Sequence, residues 1–293
     1  MLTPQPVSLR PTMPPSRLPD DVESQYNPRK AVPDVERFAQ RAAALSAATR
    51  RRRTDARLDL RYGAGALATL DVFPAAVPGA PLHVFLHGGY WRGRDKSDYS
   101  YVADALAPRG IATVVMNYDL CPAVELPAIV RQVREGFEWI HAHARELGGD
   151  PGAITASGHS AGAHLIAAAL PRNGEPAPAW VPRAAVLVSG IYELEPVLAI
   201  SVNQEIRLRP EQVDAMSPLR HPPTPSVPLV VAAGGAETAA WVRQSQDFVG
   251  ACAAAGGSAA YVELPGLHHY SIMNALETPD GVLARLIAAY ARP

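Results

Sequence analysis

The chain has 293 residues, of which 48% are hydrophobic and 19% are charged, and its formal net charge is −1. Because the chain is nearly neutral, its charge gives no electrostatic case for binding nucleic acid or an anionic membrane, and a small-molecule substrate fits better. This share of apolar residues can bury a sizeable core, so the composition excludes a chain that is disordered throughout.

The start of the chain differs in composition from the rest. Residues 1–20 are rich in proline and lack the continuous apolar core of a signal peptide, and no run of about eighteen apolar residues occurs anywhere. We predict a proline-rich arm over residues 1–32 and a single domain over residues 33–293, since no low-complexity linker divides the remainder. Cys121 and Cys252 are most simply buried thiols, which makes the cytoplasm the expected location. The sequence allows a homodimer and does not specify the oligomeric state.

A helix and a hairpin are predicted next. Residues 34–53 have helical composition and end in four consecutive arginines, which suit the negative end of a helix dipole. A solvated helix end is one interpretation of these arginines, and a nucleic-acid patch is the other. Residues 57–62 and 67–73 alternate like half-exposed strands around Gly63 and Gly65, so they predict an antiparallel hairpin at a sheet edge.

Apolar strands then alternate with helical segments to the end of the chain. This repetition predicts an α/β fold with a mostly parallel twisted sheet, an antiparallel N-terminal edge and helices on both faces. Residues 191–226 interrupt the alternation with several prolines, and we interpret them as a small cap insertion over the site. The predicted strands are 82–86, 111–116, 153–156, 184–188, 229–232 and 259–264, and the predicted helices are 99–107, 128–147, 163–170, 240–255 and 282–291.

The segment Gly158-His159-Ser160-Ala161-Gly162 matches the G-x-S-x-G pattern of a nucleophile elbow. A serine on a tight turn from strand to helix needs glycine on both sides, since side chains there would collide with the neighbouring backbone. The predicted strand before the segment and the Ala/Leu-rich run after it supply the required order. Ser160 is therefore the candidate nucleophile, and an ordinary glycine-rich turn is the alternative.

The candidate acid and base lie in the loops after the last two predicted strands. A serine hydroxyl is a poor nucleophile until a base takes its proton, and that base must be held by a carboxylate. Glu237 follows one strand and the pair His268 and His269 follows the other, which gives the order serine, acid, histidine. Glu193 is a second candidate acid, and Glu237 could instead cap the following helix. Adjacent residues cannot point the same way, so only one histidine can face the serine.

His87-Gly88-Gly89 follows the strand predicted at 82–86. Its glycine amides and the amide of Ala161 are candidate donors for an oxyanion, although the Tyr90 amide could replace one of them. A glycine turn without a catalytic role is the alternative. The remaining histidines, His159 among them, are interpreted as ordinary core or surface residues. Because the sequence has no H-E-x-x-H, C-x-x-C or phosphate-binding glycine motif, it implies no metal and no cofactor.

Several of these motifs together resemble a known family. His87-Gly88-Gly89-Tyr90-Trp91 is similar to the H-G-G-x-W motif of kynurenine formamidases (arylformamidases) and related hormone-sensitive-lipase-like carboxylesterases, which have the α/β-hydrolase fold. His269-Tyr270-Ser271-Ile272 resembles the family's His-Phe-Asp/Ser-Ile, which favours His269 over His268 as the base. Where animal formamidases usually have aspartate, this chain has Glu237, which can orient the histidine in the same way. The likeness covers most of the chain and also includes the nucleophile segment, Tyr26–Arg29, Ser189–Pro196, Met216–Pro218, Trp241 and Arg243–Ser245.

The resemblance implies a serine hydrolase that cleaves an aryl-formamide such as N-formylkynurenine, or a small-acyl ester, through an acyl-enzyme. The catalytic residues would be Ser160, Glu237 and His269, with Gly88, Gly89 and Ala161 as the oxyanion hole. Aromatic residues in loops that converge on the mouth are the expected substrate contacts, and they are Tyr90, Trp91, Tyr192, Trp241 and Tyr270. Packing of the cap is the alternative role for these aromatics. The alternative functions are a general carboxylesterase, acyl transfer to an acceptor other than water, and a catalytically silent binding protein.

Overall fold

A computed structural model describes residues 21–224 and 226–291. Residues 1–20 of the predicted arm, and Pro225 in the predicted cap insertion, lie outside the described residues. The strands are β1 (Arg57–Arg61), β2 (Thr69–Phe73), β3 (Ala80–Leu86), β4 (Ala112–Met116), β5 (Gly149–His159), β6 (Ala185–Val188), β7 (Leu229–Gly234) and β8 (Ala259–Leu264). The helices are α1 (Val22–Tyr26), α2 (Pro28–Ala31), α3 (Val35–Arg52), α4 (Val102–Leu106), α5 (Leu126–His143), α6 (Ala161–Ala169), α7 (Asn203–Ile206), α8 (Pro210–Met216), α9 (Ala239–Ala254) and α10 (Val282–Ala291). Short 3₁₀ helices cover Lys96–Tyr99, Ala107–Arg109, Glu195–Ala199 and Ser271–Leu276.

The strands form one sheet in the order β1-β2-β4-β3-β5-β6-β7-β8. Strand β2 is antiparallel to both of its neighbours, whereas all pairs from β4 to β8 are parallel. The predicted mostly parallel sheet with an antiparallel N-terminal edge is therefore confirmed.

Helices cover both faces of the sheet because its central strands are apolar on both sides. Every residue of β4 and β6 is buried, as parallel strands between two helical layers require. Successive residues of β3 enter different clusters: Val84 packs with α5 and α6, and Phe85 packs with α4 and α10. The alternation of side chains along a strand thus divides the core into two layers.

Strand β5 is longer than the strand predicted at 153–156. Its pairing with β3 begins at Ala80 opposite Gly149 and continues to Leu86 opposite Gly158. The pairing places Gly149 and Gly158 within the strand, with a register shift between Ala80 and Leu82 of β3. As a result, β5 ends immediately before Ser160.

The arginine run at the end of α3 forms ion pairs with neighbouring elements. Arg50 pairs with the buried carboxylate of Asp71 on β2, and Arg52 pairs with Asp104 on α4. Arg53 pairs with Asp55 at 2.8 Å. These contacts fasten α3 to the sheet edge, which favours the helix-end interpretation over a nucleic-acid patch.

The segment predicted as a cap insertion connects β6 to β7 and contains a 3₁₀ helix with α7 and α8. Cys121 and Cys252 are both buried free thiols. Within the ranges that the structure describes, no helix is long and apolar enough to cross a membrane.

Candidate active site

Ser160 lies on the turn between β5 and α6, with φ of 54° and ψ of −117°. This backbone conformation is rare for a residue with a side chain, and the two flanking glycines make room for it. A Cβ on Gly158 would lie 2.4 Å from the carbonyl carbon of Gly162, and one on Gly162 would lie 2.2 Å from the carbonyl oxygen of Leu86. Side chains at either position would therefore force the turn apart.

A chain of hydrogen bonds connects Ser160 to a carboxylate. The Oγ of Ser160 lies 3.0 Å from Nε2 of His269, and Nδ1 of His269 lies 2.8 Å from Oε2 of Glu237. Because a carboxylate only accepts, Nδ1 carries the proton, which leaves the lone pair of Nε2 facing the serine hydroxyl. This arrangement can remove a proton from Ser160.

The carboxylate of Glu237 is fixed by two further donors. Its other oxygen accepts hydrogen bonds from the hydroxyl of Ser189, at 2.6 Å, and from the backbone N–H of Gly234, at 2.7 Å. The Glu237 side chain is only 1% exposed. With both oxygens engaged away from water, the carboxylate has one orientation toward His269.

The rival residues lie elsewhere. Glu193 forms an ion pair with Arg220 at 2.9 Å and accepts a hydrogen bond from Ser217. His268 points away from Ser160: its Nδ1 accepts from the backbone N–H groups of Tyr270 and Ser271, and its ring packs edge-on against Phe38.

Two residues next to the hydrogen-bond chain are not predicted from the sequence to belong to the site. His159 is expected to be an ordinary histidine, yet its Nε2 donates to the backbone carbonyl of His269 at 2.8 Å. Burial lowers the pKa of His159 to about 3, so its ring is neutral. Ser189, which donates to Glu237, begins the segment Ser189–Pro196 that resembles the family, but nothing in the sequence assigns it this role.

Backbone amides lie beside the serine. A Cβ on Gly88 would lie 3.1 Å from Cβ of Ser160, so this loop approaches the serine as closely as glycine allows. Within the described ranges, the amide N–H groups of Gly89, Tyr90 and Ala161 donate to no acceptor of the protein. Unpaired amides beside a nucleophile can receive an oxyanion.

His87 holds this loop from below. Its Nδ1 lies 2.8 Å from the carbonyl oxygen of Gly88, and its Nε2 lies 2.8 Å from Oδ1 of Asn117. The ring also stacks on Tyr118, with centroids 4.4 Å apart. His87 is thus a support for the glycines and does not face Ser160 itself.

A cavity of about 340 Å³ opens at Ser160. Its volume is at the lower end of the roughly 300–1,000 Å³ of typical small-molecule sites. Tyr90 and Tyr270, two of the predicted substrate contacts, line it together with Gly89, His159 and His269. The remaining lining residues are Asn27, Pro28, Arg29, Glu36, Phe38, Ala39, Ala42, Arg92, Gly93, Arg94, Asp98, Tyr99, Tyr101, Val202 and Met273.

Trp91, Tyr192 and Trp241 do not line this cavity, contrary to expectation. Trp91 is fully buried and donates its indole N–H to His164, and Tyr192 stacks on Phe248 with centroids 4.1 Å apart. Trp241 packs edge-on against His269 at 4.6 Å and donates to the carbonyl oxygen of Ser189. Trp241 therefore supports the histidine, and the other two fill the core.

The N-terminal segment also forms part of the site wall. We call residues 21–31, which contain α1 and α2, the N-terminal clasp. The carbonyl of Tyr26 accepts from the hydroxyl of Tyr90 at 2.5 Å, and Gln25 accepts from Thr238 and from the N–H of Ala240. Asn27, Pro28 and Arg29 then line the cavity. The sequence instead predicts that these residues belong to an arm outside the domain.

No metal centre is apparent in the described part of the chain, where no three His, Cys, Asp or Glu side chains are grouped so that they could hold an ion.

Comparisons with known proteins relate this geometry to a family. Residues 70–175 match the family model described as BD-FAE. Kynurenine formamidase of Danio rerio is 29% identical over 289 residues, which cover 92% of this chain and 94% of that protein. Esterase LipQ of Mycobacterium tuberculosis is 29% identical over 255 residues, which cover 78% of this chain and 59% of LipQ.

A solved structure is similar over nearly the whole chain. A candidate thioesterase from Silicibacter sp. TM1040 is 30% identical, with a TM-score of 0.80, and the match covers 91% of this chain and 98% of that one. The chain therefore belongs to the α/β-hydrolase family, in the branch of the kynurenine formamidases and hormone-sensitive-lipase-like carboxylesterases.

Proposed function

We propose that the protein is a serine hydrolase that cleaves an aryl-formamide bond, with N-formylkynurenine as the model substrate. Family membership supports a hydrolase of formamide or ester bonds, since kynurenine formamidases and esterases are among its relatives. The observation that carries the serine mechanism is the continuous hydrogen-bond chain from Ser160 through His269 to Glu237, with steps of 3.0 and 2.8 Å. A second candidate function is a small-acyl carboxylesterase, which the similarity to the mycobacterial esterases favours.

In the acylation step, His269 Nε2 takes the proton of Ser160 as Oγ attacks the carbonyl carbon of the substrate. The negative charge that develops on the carbonyl oxygen is stabilised by the unpaired amides near Gly88, Gly89 and Ala161. Protonated His269, held by Glu237, then gives its proton to the leaving amine or alcohol. The acyl group remains on Ser160.

Deacylation reverses these roles. His269 removes a proton from water, the resulting hydroxide attacks the acyl carbon, and the proton returns to Oγ of Ser160 as the acid is released. For a formyl substrate the products are formate and an aryl amine. The cavity of about 340 Å³ suits an aromatic leaving group with a small acyl group.

The first test compares substrates in steady-state assays. We expect a higher kcat/KM of the purified protein for N-formylkynurenine than for p-nitrophenyl acetate and butyrate. Ser160→Ala should lower kcat by about five to six orders of magnitude on every substrate while leaving the fold intact, as judged by circular dichroism. Substantial activity in a pure Ser160→Ala sample would refute the mechanism. Ester turnover with little formamide turnover would select the carboxylesterase.

A matched pair of acid variants accompanies this test. Glu237→Gln removes the carboxylate that orients His269, and it should lower kcat by about three to four orders of magnitude. Glu193→Gln breaks the ion pair with Arg220 and should leave kcat close to that of the unmodified protein. The reverse result would transfer the acid role to Glu193.

A further inference from the structure

Three arginines line the cavity at Ser160, and two of them are neutralised by nearby carboxylates. Arg29 pairs with Glu36, and Arg92 pairs with Glu205. Arg94 has no ion pair and no hydrogen bond to any described residue. A guanidinium presents five N–H donors in a planar fork, so Arg94 brings an unused set of donors to the cavity.

The position of Arg94 places this charge beside the reacting groups. A Cβ on Gly89 would lie 3.1 Å from Cγ of Arg94, so the aliphatic stem of the arginine crosses next to the unpaired amides. The charge also acts on His159, whose pKa is lowered mainly by burial and to a smaller extent by the nearby positive charge of Arg94. Arg94 is therefore close to the residue that precedes Ser160.

The backbone holds Arg94 in an unusual conformation. Its φ is 73°, in the left-handed region that residues with side chains rarely adopt. Such a conformation costs free energy, persists only where the surrounding structure imposes it, and is common at functional sites. The side chain is half-buried, so it has given up part of its hydration without a protein partner in return.

Among the described residues, no carboxylate forms an ion pair or a hydrogen bond with Arg94. Glu36 is paired with Arg29, and Asp98, although it lines the same cavity, forms no ion pair with Arg94 in the described part of the chain. Burial raises the pKa of Asp98, and the charge of Arg94 lowers it in part, so the two groups interact electrostatically without a direct ion pair. The cavity thus has a cationic position with room for an external anion.

We propose that Arg94 binds a carboxylate of the substrate and so makes the enzyme selective for carboxylate-bearing aryl formamides or esters. This inference rests on the proposed function, because it assigns a substrate class to the cavity at Ser160. A planar carboxylate can accept two parallel N–H donors from the guanidinium, which orients the substrate as well as attracting it. Arg94 is in this sense a specificity-determining residue.

Two matched substrate pairs test the assignment. The first pair is 4-acetoxybenzoate and 4-acetoxybenzamide, and the second is N-formylkynurenine and its α-carboxamide. Within each pair, an uncharged amide NH2 group replaces one oxygen of the carboxylate. Arg94→Gln should raise KM for the carboxylates about 10- to 100-fold and change the constants of the carboxamides little. Arg94→Lys should keep part of the preference, since it retains the charge without the bidentate geometry. Arg209→Gln removes an arginine outside the cavity and should not alter the preference.

A binding measurement separates this inference from the proposed mechanism. Titration calorimetry of both benzoyl probes against Ser160→Ala, with and without Arg94→Gln, gives Kd values that need no turnover. Tighter binding of the carboxylate that disappears with Arg94→Gln supports the assignment even if formamides prove not to be substrates. Equal weakening of both members of a pair, or no weakening of the carboxylate, would overturn it. Activity that survives Ser160→Ala would overturn the mechanism alone.

Discussion

At Ser160 the chain accepts a rare backbone conformation, with φ of 54°, so that the hydroxyl projects toward His269. The turn can form only if α6 approaches the loop after β3 closely. Gly162 makes that approach possible, since its Cα faces the carbonyl oxygens of Leu86 and His87. The same glycine therefore positions the candidate nucleophile and the candidate oxyanion amides relative to each other.

We expect Gly162→Ala to damage both stability and activity. Its Cβ would lie 2.2 Å from the oxygen of Leu86 and 2.6 Å from that of His87, so the loop must move. Such overpacking typically costs about 1–3 kcal/mol or more, and displaced amides should lower kcat/KM for p-nitrophenyl acetate by about 100-fold.

Gly250→Ala is the matched control. It lies within α9, and a Cβ there would meet nothing within 4 Å. Because glycine is a poor helix former, alanine should stabilise the protein by about 0.5–1 kcal/mol without altering kcat/KM. Urea unfolding curves and esterase assays of the two variants check both outcomes. Wild-type kcat/KM in Gly162→Ala would show that the turn tolerates a side chain.

The sequence predicted the candidate catalytic residues of the site. It gave less information about the residues that surround them. The chemical order limited the candidates to Ser160, to Glu237 or Glu193, and to His268 or His269. The family resemblance then favoured His269 as the base. Arg94 could not be predicted, because no sequence pattern distinguishes an arginine without an ion pair from one that forms an ion pair with a carboxylate in the folded protein. Trp91 and Tyr192 follow strands as predicted, but whether a loop aromatic turns inward depends on packing that a single sequence does not specify.

At the level of elements, the N-terminal clasp departs most from expectation. The sequence predicts that the proline-rich arm extends from residue 1 to residue 32, yet the clasp contacts the segment between β6 and β7, the loop after β7 and the loop after β3. Glu23 accepts from the N–H and hydroxyl of Ser201, Gln25 accepts from Thr238, and Tyr26 accepts from Tyr90. Most of these hydrogen bonds use a backbone N–H or carbonyl group. Because nearly every residue type has these groups, the amino-acid composition cannot predict such bonds.

We expect removal of the clasp to impair substrate binding more than it impairs the fold. A variant that begins at Val32 loses these hydrogen bonds and the cavity wall formed by Asn27, Pro28 and Arg29. Since each such bond contributes about 1 kcal/mol, kcat/KM for N-formylkynurenine should fall at least about tenfold, mainly through KM.

A shorter truncation controls for the loss of chain length. A variant that begins at Asp21 keeps every contact that the clasp makes with other described residues, so we expect its kinetic constants to match those of the full chain. Thermal unfolding of both truncations shows whether they are folded. Identical constants for the two would mean that the clasp has no part in the site.

Across the whole molecule, the sheet brings the site together from distant parts of the chain. Consecutive strands β5, β6, β7 and β8 are followed by Ser160, Ser189, Glu237 and His269, and β3 is followed by the glycine loop. Ser160 and His269 are 109 residues apart in the sequence. They become hydrogen-bond partners because the carboxyl ends of β5 and β8 lie on the same side of the sheet. The alternation of strands and helices in the sequence was sufficient to predict that these loops meet at the carboxyl ends of the strands. The hydrogen bonds between their side chains could be seen only in the folded structure.

Buried histidines make the stability of the whole molecule depend on pH. Burial lowers the pKa of His83 to about 3, of His159 to about 3 and of His164 to about 4. Each is held as a neutral ring: His83 lies between Thr155 and Ser157, and His164 accepts from Trp91. In the unfolded chain the same rings titrate near 6.5. Below about pH 6.5 the unfolded state therefore binds protons that the folded state does not, and stability is lost as the pH falls.

The expected loss is large. Each histidine should cost about 2 kcal/mol between pH 8 and pH 5, so the three together should remove about 6 kcal/mol, a substantial part of the roughly 5–15 kcal/mol of an ordinary domain. Urea midpoints measured from pH 8 to pH 5 should fall steeply below pH 6.5. His83→Gln, whose amide can still bond Thr155 and Ser157, lacks one titrating ring, so it should lose about 2 kcal/mol less over the same range whatever its stability at pH 8. An unchanged pH dependence in this variant would show that His83 does not hold its neutral form in the folded protein.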